Sequence, residues 1–343
     1  KEGSLEPTQR PLPPGVSALP VLERCIEEAC KRFGYGAPCT NGVSHGHLKR
    51  GIGIASGFKN VGYSFGFPEQ ATATVELFGK VSIEHAVLRI GAADVGQGAH
   101  LILRQICAET LAVDLERVQI VAEDSGQSPD AGSASASRMT FMGGRAVSDA
   151  ASAALAKFPG PDARATVQYR PSATTGLDPI TTIGRPNYCY GYVCQAVEVE
   201  VNILTGQVQI LRIISAHDVG KAINRQQVEG QIEGCLAQAV GYTITEHLQL
   251  LAGKILTPHF STYLLPTTLD MPTEVYPILL ELADHNGPFG ARGVAEMPLI
   301  PFAAAVAIAI QAATGAWVSQ LPMTPERVLA AIIRTRGEQR VEV

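Results

Sequence analysis

Four stretches of this 343-residue chain hold residue types that can do chemistry. Gly287-Pro288-Phe289-Gly290-Ala291-Arg292-Gly293-Val294-Ala295-Glu296-Met297-Pro298 crowds glycine and proline around one acid, just ahead of an apolar run. A carboxylate at such a helix entrance has two uses. It can complement the helix dipole, or it can be a partly desolvated general base, raised in pKa by apolar neighbours. Val95-Gly96-Gln97-Gly98 leads into a helical pattern, where free backbone N–H groups attract anionic oxygens and Gln97 offers both a donor and an acceptor. A plain strand-to-helix turn uses the same residues. Gly132-Ser133-Ala134-Ser135-Ala136-Ser137 presents a low polar backbone surface. It suits a cradle for a phosphate or heterocycle, and equally a flexible Ser/Ala loop. Tyr63-Ser64-Phe65-Gly66-Phe67 puts aromatic rings in a glycine-bearing turn, as core or as a face for a flat substrate. The histidines do not cluster. His217 beside Asp218 reads as a satisfied buried group, and no GxSxG, HExxH or Walker pattern occurs.

These stretches need elements to carry them. Residues 1–17 are linker-like, and Leu19, Leu22, Ile26, Ala29, Cys30 and Phe33 mark a short amphipathic helix closed by Gly34. Gly51 to Ala55 reads as a short buried strand. Ala71–Leu77 and Val81–Ile90 alternate about a Gly79-Lys80 turn, predicting a hairpin. Asp94-Val95-Gly96 follows, then a helix over 99–112. The device recurs as Val197–Val201, Thr205-Gly206, Val208–Ile214, Asp218-Val219-Gly220 and a helix from Asn224 to Tyr242. A hairpin–loop–helix pseudo-repeat follows from that match. An Ala-rich helix over 299–314 is apolar all round and should be buried. Thr324-Pro325 starts a last helix ending near Gly337. Without regular βαβ alternation, the class is α+β. The divisions are 1–48 (linker and short helix continuing from an upstream domain), 49–190, and 191–343 with Glu296.

Composition narrows the function. Hydrophobic residues make up 46% and charged residues 17%, a globular balance whose lean charged surface suits cover by a partner. A net charge of −5 argues against nucleic acid. No stretch reads as a membrane span or a signal peptide. Seven cysteines, with no CxxC pair, argue against an iron–sulfur or zinc site here; their odd number and apolar surroundings fit a reducing cytoplasm. The chain opens on Lys1, not Met, and reads as a fragment or processed chain.

Taken together and in order, Gly96-Gln97-Gly98, Ser133 to Ser137, Gln231-Ile232-Glu233-Gly234 and Gly293-Val294-Ala295-Glu296 resemble the molybdenum-binding subunit of the xanthine dehydrogenase and aldehyde oxidase family. The likeness runs from about Gly3 to the last helix. It includes bacterial members such as the nicotinate dehydrogenase medium subunit. It implies that Gly96, Gln97 and Gly98 approach a molybdenum–molybdopterin cofactor, in either its mononucleotide or cytosine dinucleotide form. Ala134, Ser135, Ala136 and Ser137 would bind the pterin, with Gln238 a further contact. Phe65 would pack a substrate ring and Glu296 would act as the base. Molybdenum would be held by the pterin dithiolene, with no protein ligand. The implied reaction is hydroxylation of an N-heterocycle of purine or nicotinate type, with oxygen from water. Electrons would leave to 2Fe-2S clusters and FAD on partner subunits. The alternatives are an aldehyde-oxidising or carbon monoxide dehydrogenase-like member and a non-catalytic scaffold half. Ala295 stands where the family has a second glycine, and Gly66 where purine oxidisers carry a hydroxyl. The family's upstream half, expected as a partner, is not in this sequence.

Overall fold

The computed structural model describes residues 19–36, 44–63, 65–181 and 184–341; the linker expected over 1–17, Cys39 and Ser64 lie outside them. Helix α1 (Leu19–Phe33) forms where its apolar spacing demands. It ends as Gly34 turns left-handed (φ +68°) and the amides of Gly34 and Tyr35 bond Cys30 O (3.1 Å) and Ala29 O (3.2 Å), closing the free carbonyls.

One sheet has the order β1 (Ser44–His45), β2 (Leu48–Asn60), β7 (Tyr190–Asn202), β8 (Val208–Asp218), β11 (Glu274–Leu279). Its pairs are antiparallel except β8 with β11. The strand read as short over 51–55 extends over thirteen residues because β7 pairs with its whole length. A cut at 190 therefore separates two hydrogen-bonded neighbours. The central strand β7 is buried on both faces, with α1 on one side and α5 (Phe302–Thr314) on the other. Helix α5 approaches very closely. A Cβ added at Gly51 would lie 2.2 Å from Ala309 O, and one at Gly53 2.0 Å from Ala305 O, so only glycine admits this contact. The stretch Met297–Thr314 is the one among the described residues long and apolar enough to span a bilayer, and it is 56% buried against this sheet. Cover is not complete: Ala304 and Gln311 are exposed, so α5 is wrapped on its sheet face rather than all round.

The second sheet has the order β5 (Val118–Val121), β4 (His85–Arg89), β3 (Ala71–Phe78), β6 (Arg164–Tyr169), backed by α2 (Ala99–Leu111) and α3 (Gly144–Leu155). Helix α4 (Arg225–Val240) follows β8, with Asn224 capping it by accepting from Gln227 N. The pseudo-repeat is thus present: β3, β4, a loop and α2 match β7, β8, a loop and α4. A small hairpin joins β9 (Leu250–Leu251) to β10 (Lys254–Ile255). Helix α6 (Pro325–Val341) passes through Gly337, where a stop was expected. A helical glycine costs about 1 kcal/mol relative to alanine, too little to end a helix by itself.

Candidate functional site

Three loops far apart in sequence meet around a cleft of about 320 Å³. The first is built by Asp94. Its carboxylate accepts from Gly96 N (2.9 Å), Gly98 N (3.2 Å) and His100 N (3.1 Å), pinning the turn that starts α2. Burial works to push this carboxyl up, but the three amides outweigh it and hold it below the ordinary range. Gly96 (φ +110°) and Gly98 (φ +82°) supply the left-handed turns. Gln97 lines the cleft with its amide tied to its own loop: Oε1 accepts from Val95 N (2.7 Å) and Nε2 donates to Ala93 O (2.9 Å). One N–H and one lone pair remain for a ligand.

The second loop is not slack. Arg138, 2% exposed, donates to Ala131 O (2.8 Å), Ser133 O (2.9 Å) and Gln70 O (2.5 Å). Gly62 N bonds Ala136 O (2.8 Å), and the Tyr63 hydroxyl meets Ser135 Oγ. Ala136 (φ +55°) and Ser137 (φ +54°) are consecutive left-handed residues without being glycine. Such strain persists only where the surroundings over-determine it, and it concentrates at functional sites. Ala134 to Ser137 all line the cleft.

The third loop carries Glu296, at the start of a 3-10 turn over Met297–Leu299. The expected apolar environment is not what surrounds it. The side chain is half-exposed. Ser137 donates its hydroxyl to Glu296 Oε2, and Lys59 Nζ, from the end of β2, lies 2.9 Å from the same oxygen. The carboxylate makes no capping bond, so the helix-dipole alternative lacks its usual contact. Gly293 brings this loop against the second one: a Cβ there would stand 2.1 Å from Ser137 O. Ala295 is not among the positive-φ residues, so the methyl that replaces the family's glycine is accommodated without backbone strain.

Arg292 anchors the floor. Its side chain is 1% exposed, with Nη1 2.5 Å from Asp218 Oδ2 and Nε 3.1 Å from Asp284 Oδ2. Burial pushes the Asp218 carboxyl up, against the pull of Arg292. Cys189 is buried beside Asp284, and its thiol is pushed well up, by burial first and Asp284 next.

Four expected residues do not line the cleft: Gly96 and Gly98, which shape its first loop, and Gln238 and Phe65, which lie outside it. Gln238 is exposed on α4 and does not line the cleft; Gln227 and Gln231 do. Gln238 is two turns beyond Gln231, roughly 10 Å along the axis. Phe65 is 63% exposed, left-handed (φ +58°), and held by its N–H to Pro186 O (3.0 Å). Its neighbours Gly66 and Phe67, with Tyr63, Ser133 and Arg138, line a second cavity of about 760 Å³ on the other side of the Ser/Ala loop. Lys59, Arg138 and Arg292 were not singled out from the sequence. Only Arg292 had a local signal, as the lone cation of a Gly/Pro run.

The donor set suits an organic cofactor that brings its own metal. Among the described residues no group of three or more His, Cys, Asp or Glu could hold an ion. The cleft instead offers the amides of Gln97, Asn224, Gln227 and Gln231 beside Lys221. Gln227 Oε1 is buried there without a partner. Amides and cations match the heteroatoms and anionic phosphate of a pterin cofactor.

Comparison with known proteins agrees. A family model described as "Molybdopterin cofactor-binding domain" matches residues 37–164 and 153–272. A probable xanthine dehydrogenase subunit of Bacillus subtilis is 29% identical over 323 residues, covering 84% of this chain and 43% of the relative. The aldehyde oxidoreductase of Megalodesulfovibrio gigas is 28% identical over 302 residues, covering 83% and 32%. The solved aldehyde oxidoreductase from Desulfovibrio gigas superposes with a TM-score of 0.85 at 27% identity, over 97% of this chain and 37% of that one. The chain spans less than half the length of the curated relatives it matches. With a family match across most of its length and the same fold, the chain belongs to the molybdopterin cofactor-binding domain family, in the molybdenum-binding subunits of the xanthine dehydrogenase type.

Proposed function

We propose that this chain is the catalytic cofactor-binding portion of a molybdenum hydroxylase, with Glu296 as general base. The observation that carries the reading is the convergence of Gln97, Ala134–Ser137 and Glu296 on one cleft. When bound, the cofactor supplies the two-electron redox chemistry. The chain's own residues do the rest. The Ser/Ala loop and the amides of Gln97, Gln227 and Gln231 hold and orient the pterin. The Glu296 carboxylate accepts the proton of the water-derived nucleophile that adds to an electron-poor carbon. Ser137 and Lys59 hold that carboxylate in place through one of its oxygens.

The substrate in this reading is an N-heterocycle of purine or nicotinate type. Electrons pass to 2Fe-2S and FAD partner subunits, and an upstream molybdenum-subunit half completes the site. The cytosine dinucleotide form of the cofactor belongs to the same proposal. So does a cytoplasmic setting, which the free thiols of Cys25, Cys107, Cys189, Cys194 and Cys235 support. A second reading, aldehyde oxidation, is favoured by the 0.85 TM-score to an aldehyde oxidoreductase.

The test uses the assembled complex. Glu296→Gln keeps shape and removes basicity, so dye-linked turnover should fall at least ~100-fold while molybdenum content stays near wild type. Full activity in that variant would overturn the base assignment. A panel of purines, nicotinate and aldehydes, ranked by kcat/KM, separates the two substrate readings. A loaded complex inert toward all of them would point instead to the scaffold role.

A further inference from the structure

Behind the Glu296 turn lies a polar cluster in the middle of the five-stranded sheet. Gln195 on β7 and Ser215 and His217 on β8 are all fully buried. Gln195 Nε2 donates to Ser215 Oγ (3.0 Å) and to Pro298 O (2.7 Å), and Ser215 Oγ shares a proton with His217 Nε2 (2.7 Å). Burial pushes the His217 imidazole down to about 3, so the cluster is uncharged at physiological pH. It is not fully satisfied: Gln195 Oε1 and His217 Nδ1 have no partner. Apolar side chains of the same volume would fill this space without that desolvation cost. The contact that leaves the sheet is the bond to Pro298.

We infer that Gln195 is a positioning residue that sets where the Glu296 carboxylate sits, by gripping the turn that follows it through the Pro298 carbonyl. Other internal anchors hold the turn, among them Cys235 on α4, which meets the Leu299 amide. Met297, 1% exposed, packs so tightly on β7 that a Cβ at Gly191 would stand 2.1 Å from its Sδ. The Glu296 side chain itself is half-exposed and is held only at its tip, by Ser137 and Lys59. Its origin is therefore set by the backbone, and the backbone is set from inside the fold, by β7 and by α4. Catalytic groups misplaced by about 1 Å lose on the order of 100-fold in rate, even when the change lies away from the chemistry. Gln195 touches no part of the cleft; it acts through the turn.

The kinetic half of this inference rests on Glu296 being the base; the structural half does not. Gln195→Met removes the amide at nearly constant volume. Ser215→Ala removes the inner hydroxyl and keeps the bond to Pro298. In the assembled holoenzyme, amide hydrogen exchange over 293–300 should accelerate about fivefold to tenfold in Gln195→Met, and stay near wild type in Ser215→Ala. In the same Gln195→Met complex, kcat should fall by about 10- to 100-fold, with KM within about twofold and molybdenum content retained. Wild-type exchange over 293–300 in Gln195→Met would overturn the inference. So would equal loss of stability and cofactor in both variants, the signature of a merely structural core residue. If Gln195→Met does not assemble, Gln195→Asn, too short to reach Pro298, gives the same exchange test with the same overturning result. Accelerated exchange with unchanged kcat, alongside a fully active Glu296→Gln, would locate the error in the base assignment and leave the anchoring intact.

Discussion

The two Asp-Val-Gly segments follow equivalent hairpins and precede equivalent helices, yet their aspartates do opposite things. Asp94 turns inward on its own loop and takes three backbone N–H groups. Asp218 is wholly buried, accepts from the amides of Gly220 (3.1 Å) and Leu282, and pairs its Oδ2 with Arg292. The first shapes a loop that lines the cleft. The second bolts the Glu296 segment to the end of β8. A repeated motif thus supplies a carboxylate at a fixed place after a hairpin, and the surroundings choose its partner. Where that place meets solvent, local amides are the nearest donors; where another segment crosses it, a desolvated carboxylate must find a full cation.

The sharpest way to break this contrast is Arg292→Met. It leaves Asp218 buried without its cation, and breaking such a pair costs about 3–5 kcal/mol. The denaturation midpoint of the assembled protein should fall accordingly, with cofactor lost in parallel. An unchanged midpoint would mean that Asp218 has another partner. Asp94→Ala should cost less, about 1–2 kcal/mol, because the freed amides of a partly exposed loop can turn to water. Its loss should be local, seen as faster exchange over 94–100 and weaker cofactor retention.

The aspartates also differ in the sign of their pH dependence. The Asp94 carboxyl lies below its ordinary value in the fold. Its contribution is present above the unfolded value, about 3.9, and is lost as pH falls through the folded value. The Asp218 carboxyl is pushed up by burial. Its contribution is greatest at low pH and declines as pH rises through the raised value. Asp94→Asn should therefore lose less stability than wild type on acidification from about pH 5 to pH 3. Equal slopes would contradict the three-amide account. The smallest effect is expected for Ala295→Gly. Because Ala295 does not have a positive φ, restoring the family's glycine adds only unfolded-state entropy, about 0.4–1 kcal/mol of destabilisation, with no gain in turnover. A rise in activity would show that the methyl does obstruct the loop.

Much of the fold was legible because its signals are short-range. The apolar spacing of α1, the alternation either side of Gly79 and Gly206, and Asn224 before α4 each depend on residues within a turn or two of one another. The long β2–β7 ladder was not. Its partners are well over a hundred positions apart, and a strand's length is set by the strand it pairs with. The site divides in the same way. Gln97, the Ser/Ala loop and Glu296 stood out by composition or by likeness to a family. Gln238 was carried over by likeness alone, Phe65 also stood in an aromatic, glycine-bearing turn, and both lie outside the cleft that joins the others.

By itself the sequence determined where α1, α2, α4, α5 and α6 form, that the hairpin–loop–helix device occurs twice, and which loops carry glycine, small hydroxyl residues and one acid. Those properties follow from backbone sterics and local periodicity. Tertiary structure alone decided that Ser137, Lys59 and Glu296 share one oxygen, that Arg292 clamps Asp218, and that Gln195 grips Pro298. Electrostatic and hydrogen-bond partners are chosen by distance in space. Here they are 74, 103 and 159 residues apart along the chain, and no local pattern brings such groups within 3 Å before the sheets have packed.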